Sequence, residues 1–417
     1  MVLLSIFLAG TCNCAAKSAL RVATGFEGGS AADIKIDQET RTIEFAPGGD
    51  PVRGWPCWWY FRVEGIEPGE TLHLKLRGST ATVSQPGGAL MKPLSSSWAM
   101  PAHASTSADG TVWTQTANGV REGDWMLYSI RSEGVSFYAA WGPPCTPQDA
   151  VRWTTEFAQR KPSVQALELC RSREGRSVPM LRVVEGDKSQ TERFGVWVQA
   201  RQHAWESGSS WVARGFMEWV LGDSEKAETL RRSAEIMWVP IMDVDNTATG
   251  NGGKDALPYD HNRDWSDLPH WNETKAAQAR VKDLIQAGRM DVFLDLHNPG
   301  PDDPTFFFLL DPAVLSPEMA ERQRHFADLG YRLISQVKPL IPMSVHPKMI
   351  GANYSQRWRE MSAHWVALHG NPRTVAVCLE TIWNSAASTT DGYRKVGQCL
   401  AEALANFLAE QPQHQKP

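Results

Sequence analysis

Phe194-Gly195-Val196-Trp197-Val198-Gln199-Ala200 runs directly into Arg201-Gln202-His203-Ala204-Trp205-Glu206. The first seven residues form a nearly continuous apolar run with β-branched and aromatic members. A run of that kind predicts a strand buried on both faces, as in a parallel sheet covered by helices. Similar runs recur at Ile236 to Ile241, Met290 to Leu296, Thr305 to Leu310 and Thr374 to Leu379. Helical patterns lie between them, near Ser209 to Leu221, Glu273 to Ala287, Pro317 to Gln336 and Gly392 to Leu408. Such alternation predicts an α/β fold with a mixed, largely parallel sheet covered by helices over residues 148–410.

The region before it, residues 20–147, reads differently. Trp58 to Val63, Thr71 to Leu76, Thr111 to Thr116, Trp125 to Ile130 and Val135 to Trp141 are short, aromatic-rich strand patterns. Turn signals such as Glu67-Pro68-Gly69-Glu70 and Asp109-Gly110 separate them. This spacing predicts a smaller antiparallel β-sandwich, with the boundary at the Pro-rich Gly142 to Pro147. The chain has 18 Trp against 7 Tyr. Trp58, Trp59, Trp113, Trp125 and Trp141 are expected in the sandwich core or its interface rather than as a sugar-stacking face, because burying an aromatic ring is strongly favourable.

The two ends need separate treatment. Residues 1–16 hold a short apolar run, too short to span a membrane, followed by small residues up to Ala16. That pattern is an expected signal or leader segment and predicts export, to a periplasm or secreted, with Cys12 a candidate lipid anchor. A cytoplasmic location is the alternative. Residues 411–417 are expected to be a disordered tail. The seven cysteines are scattered without a CxxC pair and read as small buried hydrophobes. A net charge of −5 with no basic run argues against nucleic-acid binding.

The chemistry collects where the strands end. His203 and Glu206 follow the first quoted strand, His297 follows Met290 to Leu296, and Glu380 follows Thr374 to Leu379. In open α/β sheets, sites form beyond the carboxyl ends of strands. Two imidazoles and one carboxylate leave the fourth position of a tetrahedral zinc site open to water. Zinc lowers the pKa of water toward ~7, and a neighbouring carboxylate can take its proton. The competing structural readings are a solvated loop for His203 and Glu206, a structural histidine at 297 and a helix cap at 380.

These residues, taken in order with others, resemble the M14 zinc carboxypeptidase family, especially its cytosolic-carboxypeptidase-like branch. The resemblance rests on H-x-x-E at His203 and Glu206, a third histidine 91 positions later at His297, and Cys378-Leu379-Glu380-Thr381. It also rests on Ser172-Arg173-Glu174-Gly175-Arg176, on Pro240 to Asn246 with Gly250-Asn251, and on Asp260-His261-Asn262-Arg263. In the front domain, Pro56 to Val63 and Phe137 to Ala140 match the small domain that precedes the catalytic one in that branch. Together the matches span residues 55 to 390.

The resemblance implies one zinc per chain on His203, Glu206 and His297, with Glu380 as general base. It implies that Asn262 and Arg263 bind a substrate's terminal carboxylate, and that Asp260 accepts a hydrogen bond from His203. The substrate would be a peptide or protein C-terminus. Two positions depart from the family pattern. Gly252-Gly253-Lys254 stands where an arginine is usual, making Lys254 the candidate substitute, and Tyr354 is the candidate for the closing tyrosine. Poly-glutamate specificity is not supported by Tyr354-Ser355-Gln356, which lacks the basic residues of that branch. The alternatives are a zinc amidohydrolase or deacylase acting on peptidoglycan stem peptides or N-acyl amino acids, and a non-catalytic binding homologue.

Overall fold

The computed structural model describes residues 17–83 and 91–412. The expected leader at 1–16 lies outside them, as do residues 413–417 of the expected tail. Gln411 is described, and it is held rather than loose: it accepts a hydrogen bond from Arg322 and donates one to the Phe407 carbonyl. Among the described residues no helix is long and apolar enough to cross a membrane.

The front region is a sandwich of two five-stranded sheets. One orders Arg21–Ala23, Tyr60–Glu64, Ser136–Ala140, Ser105–Ser107 and Thr114–Gln115. The other orders Val120–Glu122, Trp125–Arg131, Thr71–Arg77, Thr42–Ala46 and Ala32–Asp37. Alternation sets the packing: Leu72, Leu74 and Leu76 point inward while their neighbours face outward. The sheets are antiparallel except for one pair, since Thr42–Ala46 runs parallel to Thr71–Arg77.

Three expectations for this region need correcting. The purely antiparallel arrangement fails at that parallel pair. The strand expected at Thr111 to Thr116 shrinks to Thr114–Gln115, because Asp109 accepts hydrogen bonds from the Thr111 and Val112 amides and bends the chain. Trp125 is not in the core. It lies out of phase with the inward-facing Tyr128 and Ile130, and the Lys75 ammonium sits 4.5 Å from its ring.

The second unit begins with the helix Pro147–Ala158, started by a capping box between Thr146 and Asp149. Its eight-stranded sheet is ordered Val164–Arg171, Ser177–Val183, Ala234–Val239, Phe194–Ala200, Met290–His297, Val375–Glu380, Phe306–Leu310 and Lys348–Ile350. The four central strands are mutually parallel and wholly apolar-buried along most of their length. Antiparallel strands flank them. Helices Ser207–Val220 and Thr390–Ala409 pack so closely that a Cβ at Gly397 would lie 1.9 Å from the Val212 carbonyl oxygen. The carboxyl ends of the central strands therefore open on one side of a rigid, doubly covered sheet.

Candidate metal centre and substrate cavity

The strand Phe194–Ala200 ends at Arg201, whose φ of 65° is in the left-handed region. Its buried guanidinium holds that turn by donating to the Ala204 and Cys145 carbonyls. The turn brings His203 and Glu206 back over the strand ends. Glu206 occupies the N-cap position of helix Ser207–Val220, where the helix dipole favours a carboxylate.

His297 comes from the adjacent strand, and the three side chains converge. His203 Nδ1 is 2.7 Å from Glu206 Oε1, and His297 Nδ1 is 2.7 Å from Glu206 Oε2. Candidate donor atoms of all three lie within 4.8 Å of one another and are buried. Both outer imidazole nitrogens face acids. Asp260 Oδ1 is 3.5 Å from His203 Nε2, and Asp295 Oδ2 is 2.9 Å from His297 Nε2. Carboxylates behind histidines fix ring orientation and leave the front nitrogens as donors. Two oriented imidazoles and a carboxylate are a donor set that suits zinc. Burial alone would raise the Glu206 carboxyl, but the imidazoles of His203 and His297 pull it down to about 2. Burial likewise disfavours charge on His297, yet Asp295 and Glu206 hold its pKa well above the usual value.

Glu380 ends its strand directly opposite His297 in the parallel register. Its Oε2 is enclosed and has no hydrogen-bond partner among the described residues. Burial pushes this carboxyl up to about 8. A carboxylate on the cavity wall with one oxygen unpartnered can exchange a proton with a bound molecule.

The remaining expected residues arrive on loops. The short turn His261–Arg263 presents Asn262 and Arg263. Asn262 Oδ1 accepts from the Ser362 amide, which leaves its Nδ2 3.5 Å from His297 Nε2. Arg263 Nη1 is 3.3 Å from His203 Nε2 and 3.6 Å from Asp260 Oδ1. Burial works against the Arg263 charge, but Asp260 outweighs it and raises the pKa. Lys254 Nζ sits 3.8 Å from Asp260 Oδ2, so it is a cavity lysine rather than a solvated one. Tyr354 is 44% exposed at the rim. Asp260 thus faces three cationic or imidazole groups at once. Burial opposes its charge, and Arg263, Lys254 and His203 still hold it well below the carboxylate range.

All of the expected site residues except His297 line one cavity of about 1050 Å³; His297 is buried and packed against Glu206. Pairwise contacts link its wall residues into a circuit. From Arg263, one arc runs through Asp260 and Lys254 to Trp55, whose ring is 5.8 Å from the Lys254 ammonium. The other runs from Tyr354 to Phe308 at 5.6 Å, to Phe306 at 4.8 Å and to Lys348 at 4.0 Å. Lys348 pairs with Asp303 at 2.7 Å, Asp303 abuts Gly300, and Gly300 abuts Trp98. Trp98 closes the circuit against Trp55 at 4.8 Å.

Sequence reasoning missed Asp295 and Trp98. Asp295 also accepts from Gln202 and Ser362, and it holds His297 more closely than Asp260 holds His203. Its signal was present, since residues two apart on a strand share a face. Trp98 lies in a short turn with no periodic pattern, and only the tertiary fold places it.

Residues 150–291 match the family model described as Peptidase_M14, zinc carboxypeptidase. Over that stretch, about a third of the chain, the sequence is similar to a zinc carboxypeptidase domain. Cytosolic carboxypeptidase 2 of Danio rerio is 25% identical over 272 residues, covering 60% of this chain and 37% of that protein. This chain therefore spans little more than a third of that relative. The fold is shared more completely with bacterial proteins. A metallo-carboxypeptidase from Burkholderia cenocepacia superposes with a TM-score of 0.74 at 19% identity, covering 94% of this chain and 99% of the other. A Pseudomonas aeruginosa metallo-carboxypeptidase, in complex with (2-guanidinoethylmercapto)succinic acid, gives 0.72 at 20% identity, covering 94% and 99%. Because coverage is nearly complete on both sides, the sandwich and the α/β unit recur together in that fold.

Proposed function

We propose that this protein is a zinc-dependent metallocarboxypeptidase that hydrolyses the C-terminal peptide bond of peptide or protein substrates. The observation that carries this reading is the convergence, at one cavity, of the His203 and Glu206 donors with His297 packed against Glu206, an unpartnered Glu380 oxygen, and the Arg263 guanidinium. Zinc on those three donors would supply Lewis-acid chemistry, acidifying a water and polarising a carbonyl.

The chain's own residues do the rest. Arg263 and Asn262 bind the substrate's free carboxylate, the guanidinium with two parallel hydrogen bonds. That contact sets which peptide bond lies over the centre, and so makes the enzyme an exopeptidase. Glu380 accepts a proton from the attacking water and returns it to the leaving amine. Lys254 supplies positive charge near the carbonyl oxygen as negative charge develops there. Asp260 and Asp295 keep the two imidazoles oriented. Tyr354, at the open rim, covers the bound terminus.

The test compares one peptide with a free and with an amidated C-terminus, in wild type and in Arg263→Lys. Purified wild type should hold about one zinc, lost in His203→Ala and His297→Ala. It should cleave the free peptide and leave the amide almost untouched. Arg263→Lys keeps the charge but loses the fork, so kcat/KM on the free peptide should fall at least about tenfold. Equal cleavage of both peptides, with Arg263→Lys silent, would replace the carboxypeptidase reading with an amidohydrolase one.

A further inference from the structure

Trp98 belongs to the sandwich, yet it forms part of the cavity wall. It ends the turn Ser96–Trp98, and its carbonyl accepts from Trp141 Nε1. Its ring stands edge-on between two others, 4.8 Å from Trp55 and 5.6 Å from Trp205. Trp205 lies within the H-x-x-E segment itself, so the ring is fixed relative to the metal donors. A Cβ at Gly300 would be 3.9 Å from the ring, so on that side its neighbour is a residue without a side chain.

The wall contacts separate this ring from Arg263. Trp98 touches Trp55 and Trp205, and it reaches Arg263 through Trp55, Lys254 and Asp260 on one arc or through Gly300, Asp303 and the Phe306, Phe308 and Tyr354 rings on the other. Arg263 approaches His203 directly at 3.3 Å, whereas Trp98 approaches the H-x-x-E segment at Trp205, so the tryptophan and the carboxylate-binding arginine meet that segment through different residues. A peptide whose terminal carboxylate sits on Arg263, and whose last peptide bond lies over the metal donors, continues toward Trp98. The charged groups beside it are already paired, Asp303 with Lys348 and Lys254 with Asp260. What this wall offers an incoming side chain is an aromatic surface held in place before binding, which loses little entropy on contact.

Resting on the carboxypeptidase reading, we infer that the sandwich domain supplies the subsite for the residue preceding the scissile bond, and that Trp98 makes it select apolar or aromatic side chains there. Specificity on that side of the bond is thus set by a domain that contributes nothing to the metal centre.

The experiment uses full-length protein and N-acylated peptides that share a C-terminal residue and differ only in the penultimate one: Phe, Leu, Gly or Asp. Wild type should favour Phe and Leu over Gly by about tenfold in kcat/KM, the scale of one apolar contact in a pocket. Trp98→Ala should collapse that ratio toward one. Trp98→Leu retains apolar packing against Trp55 and Trp205, guards against misfolding, and should lower the Phe:Leu ratio while both stay above Gly. A wild-type ratio near one overturns the inference, as does a uniform loss on all four peptides in both variants. If zinc-loaded wild type cleaves none of the free peptides, the carboxypeptidase reading itself fails and takes the subsite with it.

Discussion

Glu380 closes its strand with one oxygen enclosed and unpartnered, and that arrangement has two measurable consequences. The first is catalytic. Glu380→Gln keeps the shape but cannot accept a proton, so turnover should drop by ~10²–10⁴-fold while zinc content stays at wild type. Activity within a few-fold of wild type would assign the base elsewhere. The second concerns stability. Burial raises this carboxyl to about 8 from an ordinary 4.5, so the folded protein holds a proton that the unfolded chain releases. The folded state is then favoured at low pH, and that advantage is lost as pH rises from about 5 to 8. In protein stripped of metal by a chelator, wild type and Glu380→Gln should melt together near pH 5. At pH 8 wild type should melt lower. Parallel melting curves across that range would remove the raised pKa.

The same residue scale shows what could be read in advance. His203, Glu206, His297 and Glu380 announce themselves because each follows an unmistakable buried strand. Arg263, Asn262 and Lys254 sit in loops with no periodicity, and only the ordered motifs single them out. Asp295 is legible by alternation, but it lies inside an apolar run, where a charge looks like noise.

At the scale of elements, helix Ser207–Val220 fixes Glu206 from behind, and its own position depends on glycine. Gly215 and Gly397 let it approach helix Thr390–Ala409 to backbone contact, since a Cβ on either would fall about 2 Å from a carbonyl oxygen of the partner, 2.0 Å from Arg394 and 1.9 Å from Val212. Gly397→Ala gains up to ~1 kcal/mol in helix propensity but overpacks a rigid contact, which typically costs ~1–3 kcal/mol or more. Because the clash is with backbone, which cannot swing aside, the overpacking cost outweighs the gain in propensity. With ~3 kcal/mol of overpacking against ~1 kcal/mol of propensity, the net cost of ~2 kcal/mol should lower Tm in calorimetry by about 4–8 °C, at ~2–4 °C per kcal/mol. An unchanged or raised Tm would mean that the helices separate freely. The long buried strands and helices were legible because their periodic signals are strong. The hairpin Val164–Arg171 with Ser177–Val183, the helix Glu225–Ser233 and the helix Ser362–His369 were not. The hairpin lies at the sheet edge with many exposed side chains. The second element is mostly charged, and the third is apolar on all sides, so none shows a clean period.

For the whole molecule, the decisive feature is the junction between the sandwich and the α/β unit. Trp205 and Trp383 belong to the second unit by sequence, but they are buried in the aromatic core of the first. Trp141 lies 5.3 Å from Trp205 and 4.3 Å from Trp383. Polar contacts reinforce the seam: Gln115 donates to the Ser385 and Ser388 carbonyls, Ala102 donates to Asn384, and Arg53 donates to Asn246. Residues 148–412 expressed alone would expose both tryptophans. At ~1.5–3 kcal/mol for each large side chain returned to water, that costs roughly 3–6 kcal/mol. Net stability is only ~5–15 kcal/mol, so the loss is a large fraction of the total. Trp205 is also flanked in sequence by His203 and Glu206, so loosening it disorders two of the three proposed metal donors. The isolated unit should therefore be aggregation-prone or dye-binding, should melt without a sharp transition, and should retain little zinc at a concentration that saturates the full chain. A soluble, cooperatively melting fragment with a full zinc complement would show that the sandwich is an appendage and that the α/β unit assembles the proposed metal centre unaided.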